Sequence, residues 1–139
     1  MDKEQGFVLH PRLAADSAGI GQLAMSGVRL MNDARYPWLI LVPRRAQMQE
    51  FVELQDNEQS LLLEEIRRCC ELFKALHKPA RINIAMIGNV VPQLHVHVIA
   101  RFVDDATWPR PVWGLGEPQP YPPEVLNARV TRYRQFFGI

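Results

Sequence analysis

The sequence predicts an α+β domain in which one long helix packs on a mainly antiparallel sheet. Three observations predict it. A single amphipathic stripe of helical period runs from Leu62 to Leu76. Short apolar segments lie before and after it, bounded by proline, glycine and other turn residues. Their hairpin-like order around one long helix favours antiparallel pairing.

The elements follow in chain order. Ile20 to Leu23 and Gly27 to Leu30 read as short strands, with a turn signal at Ser26-Gly27. Trp38 to Val42 is an apolar run bounded by Pro37 and Pro43, the pattern of a central strand buried on both faces. Asp56 followed by Gln59 resembles a capping box. From there Leu62, Ile66, Cys69, Phe73 and Leu76 form the helix stripe, widened by Leu63 and Cys70. Lys74, His77 and Lys78 suit its negative end, and Pro79 stops it. Ile82 to Ile87 reads as a strand, Gly88-Asn89 as a turn, and Gln93 to Phe102 as the last strand. Between Thr107 and Pro123 lie Trp108, Trp113, Gly114, Gly116 and six of the eleven prolines, which excludes a helix or central strand and predicts an extended loop packed on the domain. Pro122 and Pro123 open a C-terminal helix with Leu126, Val130, Tyr133 and Phe137 as its apolar stripe and Gly138 at its end. The expectation is one domain, with a core over residues 8–103, a loop over 104–123 and a helix over 123–137.

Composition narrows the function. Sixteen Lys and Arg against fifteen Asp and Glu leave a net charge of +1, which argues against a polybasic nucleic-acid binder or a partner for anionic membranes. No apolar run is long enough to span a bilayer, and no apolar signal core follows the polar Met1 to Gln5, so a cytoplasmic protein is expected. Cys69 and Cys70 are adjacent on a helix and do not face each other. Neither a disulfide nor a metal knuckle is expected, and both read as small core residues.

Chemistry concentrates in the last strand. Strict alternation sends Leu94, Val96, Val98, Ala100 and Phe102 to one face, and Gln93, His95, His97, Ile99 and Arg101 to the other. The first set is a core face. The second aligns a carboxamide and two imidazoles on a rigid row, where precise sites are best built. Three readings are open: solvent-facing polar residues of a one-sided sheet, a metal pair, or covalent catalysis at phosphorus. Zinc needs further ligands from His10, His77 or a carboxylate, and neither histidine falls in a recognisable ligand pattern. A neutral imidazole is a good nucleophile near pH 7, and its neighbour can hydrogen-bond a phosphoryl oxygen as charge develops there.

The run Gln93-Leu94-His95-Val96-His97-Val98-Ile99 resembles the signature of the histidine-triad (HIT) family, in which three histidines alternate with apolar residues. Arg81 to Asn89 is similar to the strand and turn before that signature. Asn32 followed by Trp38 to Arg44 is similar to the family's ribose-contacting strand and the apolar strand after it. The resemblance spans roughly Gly19 to Phe102 and is to a bacterial-type member with Gln93 in place of the first histidine. It implies a HIT-like fold and a nucleotide hydrolase or transferase acting at the α-phosphate of a nucleoside phosphate derivative, such as a dinucleoside polyphosphate or nucleotidyl conjugate. By match to the motif, His95 is implied as the nucleophile that carries a nucleotidyl group, and His97 as donor to the phosphate and leaving group. Asn83 and Asn89 fall at phosphate and nucleotide contacts, and Asn32 at the ribose contact, with Asp33 a rival. The resemblance implies no cofactor or metal, a nucleotide as the small-molecule partner, and a homodimer in which two sheets join.

Two positions depart from the family pattern. Gln93 replaces a histidine but still donates and accepts. Pro37-Trp38 stands where the family commonly has Gly-His, and Trp38, with only an indole donor, reads first as a packing residue. Both raise the alternative of a nucleotide-binding or sensing module with little turnover. Arg101 lies on the histidine row, placed either to neutralise a distal phosphate or at the sheet edge in solvent. Trp108 and Trp113 read as a lid or stacking wall, or as packing residues. Arg44 and Arg45 read as a solvated strand end, and His10 and His77 as surface residues.

Overall fold

The computed structural model describes residues 4–139; Met1, Asp2 and Lys3, the start of the polar terminus, lie outside them. A short helix α1 (Pro11–Asp16) precedes strands β1 (Ser17–Gln22), β2 (Ser26–Met31) and β3 (Trp38–Pro43). A 3₁₀ turn (Phe51–Glu53) leads into the long helix α2 (Asp56–Leu76), followed by β4 (Arg81–Ala85), β5 (Val96–Arg101) and α3 (Pro123–Phe137). The five strands form one sheet in the order β1-β2-β3-β5-β4, and every neighbouring pair is antiparallel. The fold is α+β, with helices packed on an antiparallel sheet, as the sequence predicts.

Strand β3 is central and buried along its whole length, as its unbroken apolar run predicts. Its alternate residues feed two cores. Leu39 and Leu41 join Val28, Leu30, Val96, Val98 and Ala100 beneath α2 and α3, where Leu62, Leu72, Phe73 and Tyr133 are wholly buried. Each such side chain contributes about 1.5–3 kcal/mol by leaving water. On the other face Trp38, Ile40, Val42 and Ile99 meet Leu13, Tyr36, Val91 and Val112, with Phe7 and Leu9 packed against them. The sheet is therefore covered on both faces, as the apolar run of β3 predicts.

Several boundaries differ from expectation. Gln55 is the N-cap of α2, and Glu58 returns a carboxylate to the Gln55 N–H at 2.9 Å. The Gln59 amide instead donates to the Leu54 carbonyl. Strand β5 begins at Val96, because Leu94 N–H turns to the Met48 carbonyl. Helix α1 is only six residues, too short for a periodic signal, and starts at Pro11 with the His10 Nδ1 accepting from the Arg12 N–H. At the other end Gly138 adopts a left-handed conformation (φ 74°) and closes α3 as its sequence position predicts.

Among the described residues, no helix is long and apolar enough to cross a membrane.

Candidate functional site

His97 lies in β5 opposite Ile40, and His95 just precedes the strand. Their ring centroids are 4.8 Å apart and their planes cross at 74°. Each residue is only 6% exposed, which rules out the solvent-facing reading. Two hydrogen bonds fix which nitrogen of each ring carries a proton. A carbonyl only accepts, so the 2.7 Å contact between His95 Nδ1 and the Gln93 carbonyl places N–H at Nδ1. In the neutral ring this leaves a lone pair on Nε2. An indole N–H only donates, so the 3.0 Å bond from Trp38 Nε1 to His97 Nδ1 requires a lone pair there and puts the His97 proton on Nε2. Burial, and secondarily the charge of neighbouring His95, push His97 down to about 3, so it stays uncharged near neutrality. One imidazole thus offers a nucleophilic Nε2 and the other an Nε2–H donor.

Trp113 packs edge-on against both His97 (5.2 Å between centroids) and Trp38 (5.9 Å). Those two tryptophans form one wall of a cavity of about 570 Å³, whose other sides come from α1 (Arg12, Asp16), Asn32 and the loop around Gly114. His95 itself opens on a separate cleft of about 40 Å³ beside Gln93 and Gly88. Neither histidine lines the larger cavity, but two of its lining residues, Trp38 and Trp113, each contact the His97 ring.

The loop that carries Trp113 is anchored at both ends. At its base Asp105 accepts from Arg101 Nε at 2.7 Å and Nη2 at 3.0 Å, and from the N–H groups of Phe102, Thr107 and Trp108. Burial pushes the Asp105 carboxyl up, but Arg101 and these donors outweigh it and bring it to about 2. Farther along, Asp33 pairs with Arg35 at 2.8 Å and accepts from the Gln119 N–H, while Arg35 reaches the Leu115 carbonyl. Burial raises the Asp33 carboxyl, yet these partners hold it below the usual range.

Several sequence expectations are corrected by these contacts. Arg101 is 1% exposed, and its guanidinium is occupied by Asp105, Asn83 Oδ1 and Thr107 Oγ1. It is closed to a phosphate. Asn83 Oδ1 accepts from Arg101 Nη1 at 2.9 Å. Trp108 lies 5.9 Å beneath the Arg101 guanidinium, whereas Trp113, like Trp38, contacts the His97 ring. Gln93 spans the N-terminal segment, its amide donating to the Val8 carbonyl and accepting from the His10 N–H, both at 2.9 Å. Asn89 is exposed in the turn after β4. Asn32 lines the larger cavity, though its Oδ1 already accepts from the Tyr121 N–H. His77 is half-buried rather than free on the surface: it meets Tyr133 Oη at 2.6 Å, and burial, then Arg129 and Arg132, push it down to about 4. Arg44 and Arg45 pair with Glu4, and Arg45 with Glu58, so this strand end is not simply solvated. Cys69 is buried and Cys70 partly so. Among the described residues, no three His, Cys, Asp or Glu side chains gather as a metal site.

Sequence reasoning missed two features. The donor role of Trp38 has no pattern of its own, because it depends on the register that sets Trp38 beside Ile99 and within reach of His97. Asp105 does have a signal: an Asp ahead of turn residues, whose carboxylate serves backbone donors two and three residues on.

The HIT domain description matches residues 12–104, two thirds of the chain and all of the histidine strand. The chain belongs to the HIT domain family. A solved histidine triad protein from Bradyrhizobium japonicum is 43% identical, with 94% of this chain and 97% of the other aligned at a TM-score of 0.90. Another from Sinorhizobium meliloti is also 43% identical, with 95% and 98% covered at 0.91. A third, from Marinobacter aquaeolei, is 41% identical, with 94% and 95% covered at 0.91. No curated protein matches the chain. Membership of the HIT family implies nucleotide binding, with hydrolase or transferase chemistry in general.

Proposed function

We propose that this HIT protein hydrolyses or transfers a nucleotidyl group at the α-phosphate of a nucleoside phosphate derivative, through a covalent adduct on His95. The observation that carries the proposal is the opposed pair of hydrogen bonds on the two imidazoles. Gln93 points the His95 lone pair outward at Nε2 through its backbone carbonyl. As the ring attacks phosphorus it gains positive charge, and the carbonyl on its Nδ1–H stabilises that charge. His97 Nε2–H, on the adjacent ring, is the donor for a phosphoryl oxygen. The cavity beyond Trp38 and Trp113 is large enough for a nucleoside, with Asn32 or Asp16 near the sugar and Trp113 against the base. Arg101 and Trp108 hold the loop and do not touch substrate. Gln93 positions His95 and the N-terminal segment.

The edge strand β4 and the turn after it expose Ile84, Met86, Ile87 and Val90. An unpaired apolar edge of this kind favours pairing with a second copy, so the proposed state is a homodimer with joined sheets. Two free cysteines agree with a reducing cytoplasm as its compartment.

The test is the His95→Ala variant, assayed for nucleotide release from dinucleoside polyphosphates and for binding of adenosine and guanosine monophosphates. Loss of turnover with retained binding is expected. Unchanged turnover removes the mechanism, and binding without turnover in the wild type favours a sensing module instead.

A further inference from the structure

Trp38 bears on which leaving groups the site can expel. Its indole is buried between Tyr36, His97 and Trp113, and its one polar hydrogen points at His97 Nδ1. A general acid must deliver a proton and be left with a stable base. Imidazole does this as imidazolium. With Nδ1 filled by a donor that has no lone pair, His97 has no site for the second proton. Burial and the nearby His95 hold the ring uncharged in the same sense.

We infer that Trp38 is a positioning residue that makes His97 a hydrogen-bond donor without making it a proton donor, so that the site selects leaving groups that depart unprotonated. The preferred substrates are then nucleotidyl anhydrides and activated esters, ahead of nucleoside phosphoramidates. The inference rests on His95 as nucleophile. In the favoured reaction the His95 Nε2 pair bonds to phosphorus as the P–O bond breaks, and the leaving phosphate or phenolate takes the bonding pair. Water then attacks phosphorus, the P–N bond returns its pair to Nε2, and the water proton passes to solvent. A phosphoramidate loses an amine, which must gain a proton as its P–N bond breaks. A neutral imidazole N–H is too weak an acid to supply it.

The experiment compares the 4-nitrophenyl 5′-esters and 5′-phosphoramidates of adenosine and guanosine monophosphate on the full chain. Histidine ¹⁵N spectra are recorded alongside. General acid catalysis contributes about 10²–10⁴-fold, so the wild type favours ester over amidate by about that factor more than Trp38→His does. Restoring a titratable ring at position 38 is expected to narrow the kcat ratio by about a hundredfold or more, whereas a purely structural Trp38 leaves the ratio unchanged. The spectra are expected to show an unprotonated Nδ1 and a protonated Nε2 on His97 at neutral pH, and Trp38→Phe is expected to lose that single tautomer. Comparable rates on both substrates in the wild type, or a proton on His97 Nδ1, overturn the inference while leaving the His95 mechanism standing. Turnover of neither substrate overturns both. The wild-type spectra read the tautomer even where a variant fails to fold.

Discussion

Replacing Arg101 with methionine removes a charge that no solvent can replace. The side chains of Arg101 and Asp105 are 2% and 3% exposed, and two hydrogen bonds of 2.7 and 3.0 Å join them. Methionine keeps much of the volume against Tyr36 and Trp108 but leaves Asp105 as a buried anion and Asn83 Oδ1 without its donor. Breaking a buried pair by removing one partner costs about 3–5 kcal/mol. Backbone donors still serve Asp105, which places the expected loss near the lower end, about 3 kcal/mol. That is a large share of the roughly 5–15 kcal/mol by which a typical domain is stable. The assay is urea denaturation at pH 7 followed by circular dichroism. The double variant Arg101→Met, Asp105→Leu removes the stranded charge and is expected to recover part of the loss. A second sign follows from linkage. The Asp105 carboxyl is depressed to about 2, so its contribution is present above the ordinary carboxylate range and fades as pH falls toward that value. Without Arg101 its carboxyl rises, and the deficit of the variant shrinks in mild acid. A loss below about 1 kcal/mol at pH 7, or a double variant no more stable than the single one, refutes the placement of Arg101 as a structural anchor.

Other outcomes follow from the same contacts. His97 is depressed to about 3 while an unfolded imidazole titrates near 6.5, so the folded state binds fewer protons between those values. Its contribution is full above about pH 6.5 and is lost as pH falls toward 3; by pH 4 the loss is at most about 3 kcal/mol, and equal stabilities in urea titrations at pH 7 and 4 contradict it. Gln93→Ala breaks both bonds to the N-terminal segment and is expected to cost about 1–2 kcal/mol, with faster hydrogen exchange at the His10 amide. Trp113→Ala is expected to weaken nucleoside monophosphate binding by about tenfold in calorimetry, from loss of a stacking wall, with little change in stability because the residue is partly exposed.

Much of the fold was legible because its signals are local. The alternation from Leu94 to Phe102 correctly sorted the core face from the histidine face, and the run Trp38 to Val42 marked the central strand. The period of Leu62 to Phe73 gave α2, although its cap lies one residue earlier than the Asp56 signal implied. Arg101 was misread because the partner that buries it, Asp105, sits in the loop beyond the strand, and period-two patterning carries no information about what covers a face. Gln93 likewise takes its partners from Val8 and His10, eighty-five and eighty-three residues away, and only the folded chain brings them together. Trp38 could be read as a packing residue from composition alone. Its donor role emerges from the antiparallel register that sets β3 beside β5.

Whether His95 becomes covalently loaded is the most direct question to put to the molecule. Rapid mixing with a nucleotidyl substrate, alkaline quench and intact mass spectrometry, with peptide mapping of any adduct, answers it. One nucleoside monophosphate is expected on the ring of residue 95 during turnover, absent from His95→Ala. Product formation without such an adduct in a single turnover, or an adduct that persists in His95→Ala, contradicts the account.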